Sequence, residues 1–353
     1  MIGLMTRIHS ILALALLTLT AHAQDAESKL DQVLAAAAGQ QRFMGTALVA
    51  KGGKIILEKG YGMADIELDV PNTPDKKFRL GSITKQFTAT AIMQLQEQEK
   101  LSVADAACKY LDDCPEAWKA VTIHHLMSHT SGIPSYTSMP EFPKPQFMRV
   151  PLKPLEIVML SRNKPMDFMP GEGWLYDNTG YLLLGYIIER VTGGTYASYL
   201  QKQIFEPLGM KDSGYDDTRT VLKNRAKGYS RGPQGFRNAD YLDMSLPHAA
   251  GSLYSTVRDL YIWDRALYTE KVLPRKSYET MTTTVRHDYG YGLALAPAFE
   301  RRHVAHGGGI NGFSTWIGRF PDDDAVIIVL SNLEGPSAGA MAKQLGAILF
   351  NAK

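Results

Sequence analysis

The segment from Gly81 to Lys85 places a hydroxyl, Ser82, and an amine, Lys85, three residues apart at the start of an apolar pattern. This pattern predicts a helix from Ser82 to about Glu99, and side chains at i and i+3 share one face of a helix. An amine shielded from water can lose its charge and take the proton of a serine, which then becomes a nucleophile. A helix-capping serine followed by a solvated lysine gives the same spacing, so the pair alone does not decide between the two readings.

Two further clusters hold groups that could act with this pair. Tyr176 and Asn178 precede an apolar helical pattern, where a phenol could relay a proton and an amide could hold a substrate carbonyl. The simpler alternative is an asparagine cap beside a packed tyrosine. His306 begins the run His-Gly-Gly-Gly, whose glycines would let a substrate backbone approach a strand edge or would form a flexible turn.

Together, the three clusters resemble the motifs of the serine beta-lactamase-like family, which includes class C beta-lactamases, D-Ala-D-Ala carboxypeptidases, D-aminopeptidases and esterases. The matching motifs are Ser-x-x-Lys at Ser82 and Lys85, Tyr-x-Asn at Tyr176 and Asn178, and His-x-Gly at His306 and Gly308. Similar phrases surround them at residues 78–81, 125–134, 180–185, 204–210 and 250–256. The resemblance covers nearly the whole chain after residue 23.

This resemblance implies that Ser82 attacks a substrate carbonyl and forms an acyl-enzyme, while Lys85 and Tyr176 share the role of base. Water then hydrolyses the acyl-enzyme, and neither a metal nor another cofactor is required. The leading prediction is a serine hydrolase acting on a D-amino-acid peptide or a small ester. A class C-like beta-lactamase is one alternative, and a penicillin-binding sensor that acylates without turnover is another.

The resemblance also implies substrate binding by Asn178, His306 and Gly308, and an oxyanion hole made by the backbone N–H groups of Ser82 and Gly309. One such donor typically contributes on the order of a hundredfold or more to the rate. The family's beta-lactamases and many of its peptidases carry Lys-Thr-Gly at the third motif, where this chain has His306. A histidine with an unperturbed pKa near ~6.5 is mostly neutral at pH 7, which argues against efficient beta-lactam turnover.

The elements that would position these groups are strands near both ends of the chain and helices between them. The predicted strands are 46–50 and 54–58 around a Gly52-Gly53 turn, a third piece from 61 to about 68, and then 313–319 and 325–331. The predicted helices are 27–38, 178–191, 196–205 and 337–350. Residues 134–170 contain eight prolines, which predicts a loop with one short helix near 155–161.

This order of elements predicts an α/β fold with a sheet built from both termini and flanked by helices, plus an inserted mainly helical domain. The resemblance implies that the fold is of the beta-lactamase/transpeptidase type, with an antiparallel sheet. We expect a discontinuous α/β domain of residues 24–100 and 251–353. The helical domain would span 101–250, and the active site would lie between the two.

The N-terminal residues 1–23 have the features of a cleavable signal peptide. Arg7 and His9 precede an apolar run at 11–17, and Ala21-His22-Ala23 fits a cleavage site. The run is too short to span a bilayer comfortably, so an anchor is the weaker alternative. We therefore expect a periplasmic or secreted protein without a stable membrane span after cleavage. In that oxidising setting, Cys108 and Cys114 are predicted to form a local disulfide.

The charge balance and the histidine spacing limit which partners and metals are expected. The chain of 353 residues carries 38 Lys+Arg and 36 Asp+Glu, without a long basic run, so nucleic acid is not expected as a partner. His125 and His129 have the i, i+4 spacing of zinc ligands, but the glutamate of His-Glu-x-x-His is missing, so we predict packing or helix-end roles and no metal. The expected partner is a small-molecule or peptide substrate, with cell-wall fragments among the candidates.

Overall fold

The computed structural model describes residues 25–142 and 144–352. The predicted signal peptide, residues 1–23, lies outside the described residues. A five-stranded antiparallel sheet forms the centre of the α/β fold, in the order β3-β4-β5-β1-β2. Its strands are β1 (Gly45–Lys51), β2 (Lys54–Tyr61), β3 (Val304–Ile310), β4 (Phe313–Phe320) and β5 (Ala325–Ser331).

The pairing of β1 with β5 joins the early and late parts of the chain, and it confirms the predicted antiparallel sheet. Leu48 of β1 lies opposite Ile328 of β5. The hairpin between β1 and β2 turns at Gly52 and Gly53, whose φ angles of +59° and +70° favour glycine. The predicted hairpin is therefore confirmed.

Successive residues of a strand point to opposite sides of the sheet, and here apolar side chains on both sides are covered by helices. On one face, Val49 and Ile327 pack with helix α1 (residues 25–39) and with α6 (Ser337–Leu349). On the other face, Leu48 and Ile328 belong to the large core that contains the helix following Ser82. That helix therefore shares one apolar core with this face of the sheet.

Within residues 25–142 and 144–352, four other helices have seven or more residues: α2 (Thr84–Glu97), α3 (Asn178–Thr192), α4 (Val257–Ala266) and α5 (Arg275–Met281). Shorter helices are Ile123–Met127, Pro145–Met148, Pro154–Val158, Tyr196–Leu200, Glu206–Leu208 and His248–Gly251. The predicted helices after Ser82 and from Asn178 are confirmed. α3 ends at Gly193, which has the left-handed φ of +68° expected of a glycine C-cap.

In the described residues, short strands form three further small sheets: Met63–Asp65 with Val70–Pro71, Tyr229–Gly232 with Gly235–Asn238, and Leu253–Ser255 between Phe78–Arg79 and Gly214–Tyr215. The prediction of one strand from 61 to about 68 was wrong. Asp65 Oδ1 accepts hydrogen bonds from the amides of Glu67 and Leu68, which form a turn that interrupts the strand. The division into two domains stays a prediction, and residues 101–250 contain several of these short strands.

The proline-rich stretch 134–170 has more local structure than predicted. Besides Pro154–Val158, it contains the helix Pro145–Met148 and the turns Tyr136–Ser138 and Met159–Ser161. Proline fits the first turn of a helix, where its missing N–H is not needed, and both helices begin with one. The prolines of this stretch therefore do not exclude helices, since two of them stand at the first position of one.

Cys108 and Cys114 form a disulfide, with their Cα atoms 5.3 Å apart. It closes a short loop beside the helical turn Ala107–Tyr110. Across residues 25–142 and 144–352, no helix combines the length and the apolar character needed to cross a membrane.

Candidate active site

Ser82 lies in a tight connection between a strand and helix α2. Phe78–Arg79 pairs with Leu253–Ser255, the chain turns at Gly81, and the helical turn Gly81–Ile83 leads directly into α2. Gly81 has a φ of +54°, and a Cβ there would come within 3.0 Å of the Gly309 amide nitrogen. Glycine is required both for the backbone angle and for this close approach. The sharp turn leaves Ser82 partly exposed at the start of the helix.

Lys85 is fully buried directly behind Ser82. Its Nζ donates hydrogen bonds to Ser82 Oγ at 3.1 Å, to Asn178 Oδ1 at 2.8 Å and to the Ala250 carbonyl at 2.9 Å. Burial lowers the pKa of Lys85 to about 7, while the charge of Asp177 acts in the opposite direction. A large part of the amine is therefore neutral near pH 7, and its lone pair can accept the proton of the Ser82 hydroxyl.

Tyr176 and Asn178 reach the site from the start of α3. Asp177 caps this helix, and its carboxylate accepts hydrogen bonds from the amides of Thr179 at 2.7 Å and Gly180 at 2.9 Å. This cap fixes the two flanking side chains on either side of the lysine. The Nζ of Lys85 lies 4.8 Å from the centre of the Tyr176 ring.

Burial raises the pKa of Tyr176, and a hydrogen bond with Ser82 only partly opposes this effect. The phenol is therefore protonated at neutral pH. It can donate a proton or pass one on, but it is a poor source of a phenolate base. Of the two groups predicted to share the base role, Lys85 has the pKa suited to accepting a proton.

His306 lies in β3 and is 6% exposed. Its Nδ1 and the Gly307 carbonyl are 2.6 Å apart, and its Nε2 and the Tyr289 hydroxyl are 2.9 Å apart. Nδ1–H donates to the carbonyl, so Nε2 accepts from the phenol. Burial, assisted by the charge of Lys85, lowers the pKa of His306 to about 4, so the ring is neutral across the physiological range. Neither ring nitrogen is free for a substrate.

Gly308 and Gly309 bring β3 against the turn that carries Ser82. A Cβ at Gly308 would lie 1.9 Å from the Leu80 carbonyl oxygen and 2.3 Å from Thr315 Oγ1. Gly309 is exposed and has open space at the same position. The predicted oxyanion residues Ser82 and Gly309 are thus neighbours at the edge of β3.

Replacing Gly308 with alanine should therefore damage both stability and activity. The added methyl would push β3 away from Leu80, and overpacking of this kind costs about 1–3 kcal/mol. Thermal or chemical unfolding measures the loss, and Gly309→Ala is the matched control because its Cβ meets nothing within 4 Å. Equal stability of the two variants would show that the close contact of β3 with Leu80 is not required.

A cleft of about 160 Å³ opens in front of Ser82 and includes Asn178 and Gly309 in its walls. Its apolar wall is formed by Tyr136, Phe142, Leu242, Pro247 and Ile310. Lys85, Tyr176 and His306 are not among the residues that line it and stand behind Ser82. The structure thus brings the predicted residues together in two layers. Ser82, Asn178 and Gly309 face the cleft, and Lys85, Tyr176 and His306 form a buried layer behind Ser82.

Sequence reasoning missed two residues of the buried layer, Asp177 and His129. His129 Nδ1 accepts a hydrogen bond from the Asp177 amide at 3.1 Å, and its ring centre lies 4.3 Å from that of Tyr176. Burial keeps the pKa of His129 well below its usual value, so this ring is also neutral. The position of Asp177 inside Tyr-x-Asn was the available signal for one of them. His129 was noted only for its spacing from His125, and a packing or helix-end role was predicted for it.

The clustered histidines of the sequence have separate partners. His124 Nδ1 lies 2.6 Å from the Tyr291 hydroxyl, and His125 Nδ1 accepts from the Thr122 amide at 3.2 Å in a helix-capping arrangement. His129 faces the Ser82 site. Each ring has a distinct structural role.

The chain matches the Beta-lactamase family model over residues 30–349. It is 32% identical over 317 residues to penicillin-binding protein 4* of Bacillus subtilis (strain 168), covering 84% of this chain and 69% of that protein. It is 27% identical over 298 residues to the teichoic acid D-alanine hydrolase of Staphylococcus aureus (strain MRSA252), covering 83% and 71%. The solved structure of D-amino acid amidase from Ochrobactrum anthropi SV3 complexed with L-phenylalanine amide matches with a TM-score of 0.81 at 25% identity, covering 93% of this chain and 99% of that one.

Proposed function

Because this chain belongs to the Beta-lactamase family and is a serine hydrolase of that fold, we propose that it hydrolyses a D-amino-acid amide or peptide, or a small ester, through an acyl-enzyme on Ser82. The observation that carries this proposal is the 3.1 Å contact between Ser82 Oγ and the Nζ of the buried Lys85. The names of two similar proteins, a teichoic acid D-alanine hydrolase and a D-amino acid amidase, support a D-amino-acid substrate.

In the proposed acylation step, Ser82 Oγ forms a bond to the substrate carbonyl carbon while its proton passes to Lys85 Nζ. The amides of Ser82 and Gly309 donate to the oxyanion that develops. The bond from the carbonyl carbon to the leaving nitrogen or oxygen then breaks, and the leaving group takes the proton from Lys85 through the Tyr176 hydroxyl. Water repeats the sequence in deacylation, and Asn178 orients both the lysine and the substrate.

This mechanism requires activity to rise with pH through about 7 and then to level off. Lys85 must be neutral to accept a proton, and burial lowers its pKa to about 7. At pH 6 such a group is neutral in roughly a tenth of the molecules, so kcat/KM should be about a tenth of its plateau. Measurement of kcat/KM between about pH 5 and about pH 9 checks this expectation. A flat profile would exclude Lys85 as the base.

Asp177→Asn should shift the rise of kcat/KM with pH, which is the acidic limb of the profile, to lower pH. Burial raises the pKa of Asp177 itself to about 7, so this group is ionised mainly at and above that pH, where its charge raises the pKa of Lys85. Asparagine removes the charge while keeping an oxygen for the helix cap. His306 does not titrate in this range, because burial lowers its pKa to about 4. An unchanged or higher apparent pKa in this variant would mean that another group controls the limb.

A beta-lactamase activity is the enzymatic alternative, and His306 argues against it. The third motif supplies a neutral, fully engaged ring where the resembling beta-lactamases have a lysine. A beta-lactam carboxylate would therefore meet no permanent cation at that position. The remaining alternative, a sensor, would form the acyl-enzyme but release it slowly.

The direct test follows the hydrolysis of N-acetyl-D-alanine and N-acetyl-L-alanine p-nitroanilides, a p-nitrophenyl ester and a chromogenic cephalosporin by the same preparation. We expect steady turnover of the ester or of the D-anilide, and a smaller kcat/KM for the cephalosporin. Faster turnover of the cephalosporin would favour the beta-lactamase. A single burst equal to the enzyme concentration would favour the sensor.

We further propose that the protein is exported, as the segment at 1–23 indicates. The Cys108–Cys114 disulfide supports this proposal, because disulfides persist in oxidising compartments. Expression of the full chain followed by N-terminal analysis tests it. Cleavage after Ala23 is expected, and an intact N-terminus in a cytoplasmic fraction would contradict it.

A further inference from the structure

We propose that the cleft beside Ser82 selects acyl groups that carry no charge, so that N-acylated D-amino-acid derivatives and simple esters bind better than substrates with a free α-amine or a carboxylate. This inference rests on the proposed function and specifies the substrate class of the same site. It separates the candidate substrates by charge, which the family resemblance does not do.

The first observation is the chemistry of the cleft wall. None of the described residues that line the cleft carries a charge. Tyr136 and Leu242, which are 3% and 4% exposed, form much of the apolar side, and Ile310 closes its edge. The polar groups present are hydroxyls and amides, such as Thr137 and Asn178, which can solvate a carbonyl or a peptide group.

The second observation is that the charged groups behind the cleft are already engaged. The three hydrogen bonds of the Lys85 amine go to Ser82, Asn178 and the Ala250 carbonyl. The Asp177 carboxylate is 3% exposed and accepts from the amides that begin α3. Among the described residues that line the cleft, no carboxylate therefore faces an incoming ammonium and no free cation faces an incoming carboxylate.

A neighbouring cavity of about 240 Å³ shares Leu242 and Asn311 with the cleft and contains cations, but they are neutralised. Arg79 and Arg225 both bind the buried Asp216 carboxylate, at 2.7 Å and 2.8 Å. Lys227 pairs with Glu67, and Asp240 also lines this cavity. Its three cations are thus matched by three carboxylates, so the cavity offers no excess charge to an acidic substrate.

The small size of the cleft makes the binding of a charged acyl group unfavourable. The cleft has a volume of only about 160 Å³, so a bound acyl group displaces water from it. An ammonium or carboxylate held there would lose its hydration without gaining an opposite charge. An acetyl or other amide-linked group loses less and can use the hydroxyl and amide lining.

Boronic acids test this preference without requiring turnover, because boron adds to the active-site serine. Three compounds with the configuration of D-alanine are compared: 1-acetamidoethyl, 1-aminoethyl and 1-succinamidoethyl boronic acid. Each competes with a neutral phosphonate for Ser82, and intact mass gives the rate of labelling. The acetamido compound should protect Ser82 at a concentration at least about tenfold lower than either charged compound.

A matched pair of variants places a charge in the same cleft. Asn311 lines it, and its Nδ2 donates to the Asp240 carbonyl at 2.9 Å. Asn311→Ala and Asn311→Asp both remove this donor, but only the second adds a carboxylate. Relative to Asn311→Ala, Asn311→Asp should strengthen protection by the aminoethyl compound several-fold, weaken protection by the succinamido compound, and leave the acetamido compound unchanged.

The outcomes separate this inference from the proposed function. Equal or better protection by the aminoethyl or succinamido compound, or no protection by the acetamido compound, would overturn the preference for uncharged acyl groups. Failure of the phosphonate to label Ser82 would instead overturn the proposed acyl-enzyme. Labelling of Ser82 together with selective protection by the acetamido compound supports both.

Discussion

Ser82→Ala is expected to lower kcat for the preferred ester or amide by at least about 10⁴-fold, since removal of a serine nucleophile in such enzymes costs that much or more. The variant loses the only oxygen to which the proposed mechanism attaches the acyl group. Lys85 then has no hydroxyl to deprotonate. Any residual rate would come from water attacking a substrate that the cleft and the oxyanion donors still hold.

Folding should be almost unaffected by this change. Ser82 is partly exposed, and its hydroxyl oxygen accepts a hydrogen bond from the Lys85 amine and shares another with Tyr176. We expect the free energy of unfolding to stay within about 1 kcal/mol of the parent value. Ser138→Ala is the matched control, because Ser138 is exposed in the nearby turn Tyr136–Ser138. Unchanged turnover in Ser82→Ala would refute the mechanism, and equal losses in both variants would point to a nonspecific effect.

Lys85→Met should have the second largest effect, a fall in kcat/KM of about 10²–10⁴-fold. Methionine approximates the length of lysine but cannot take a proton, so Ser82 would keep its hydroxyl hydrogen. The variant should also change the acidic limb near pH 7, because the mechanism assigns that limb to Lys85, although burial also raises the pKa of Asp177 to about 7. A purely structural role for Lys85 would leave the shape of that limb unchanged.

Two opposing effects determine how Lys85→Met changes the free energy of unfolding. The Asn178 Oδ1 atom and the Ala250 carbonyl would lose a donor, which costs about 1–3 kcal/mol for a buried group. Removal of a buried amine from the apolar interior offsets part of that cost. Lys100→Met, at an exposed position, controls for the general effect of removing a lysine. Activity close to the parent in Lys85→Met would contradict the proposed base.

Local patterns in the sequence were sufficient to predict the elements that hold the nucleophile. The glycine turn between β1 and β2, the helix after Ser82 and the C-cap at Gly193 all depend on residues adjacent in sequence. Such features follow from backbone geometry and short-range periodicity. The three motifs then predicted which side chains belong to the site.

The rest of the site depends on contacts between residues far apart in the chain. Tyr136, Leu242 and Ile310 meet in one cleft wall, although more than sixty residues separate each from the next. The neutral state of His306 follows from burial and from the charge of Lys85, neither of which the His-Gly-Gly-Gly run reveals. Tertiary packing therefore determined the charge of the site and the shape of the cleft.

The central claim is that Ser82 carries the acyl group during turnover. Rapid acid quenching of the enzyme mixed with a p-nitrophenyl ester, followed by intact mass and peptide mapping, tests it directly. The mechanism predicts a transient mass increase equal to the acyl group, located on Ser82 and absent from Ser82→Ala. Turnover without that adduct, or the same adduct in Ser82→Ala, would contradict it.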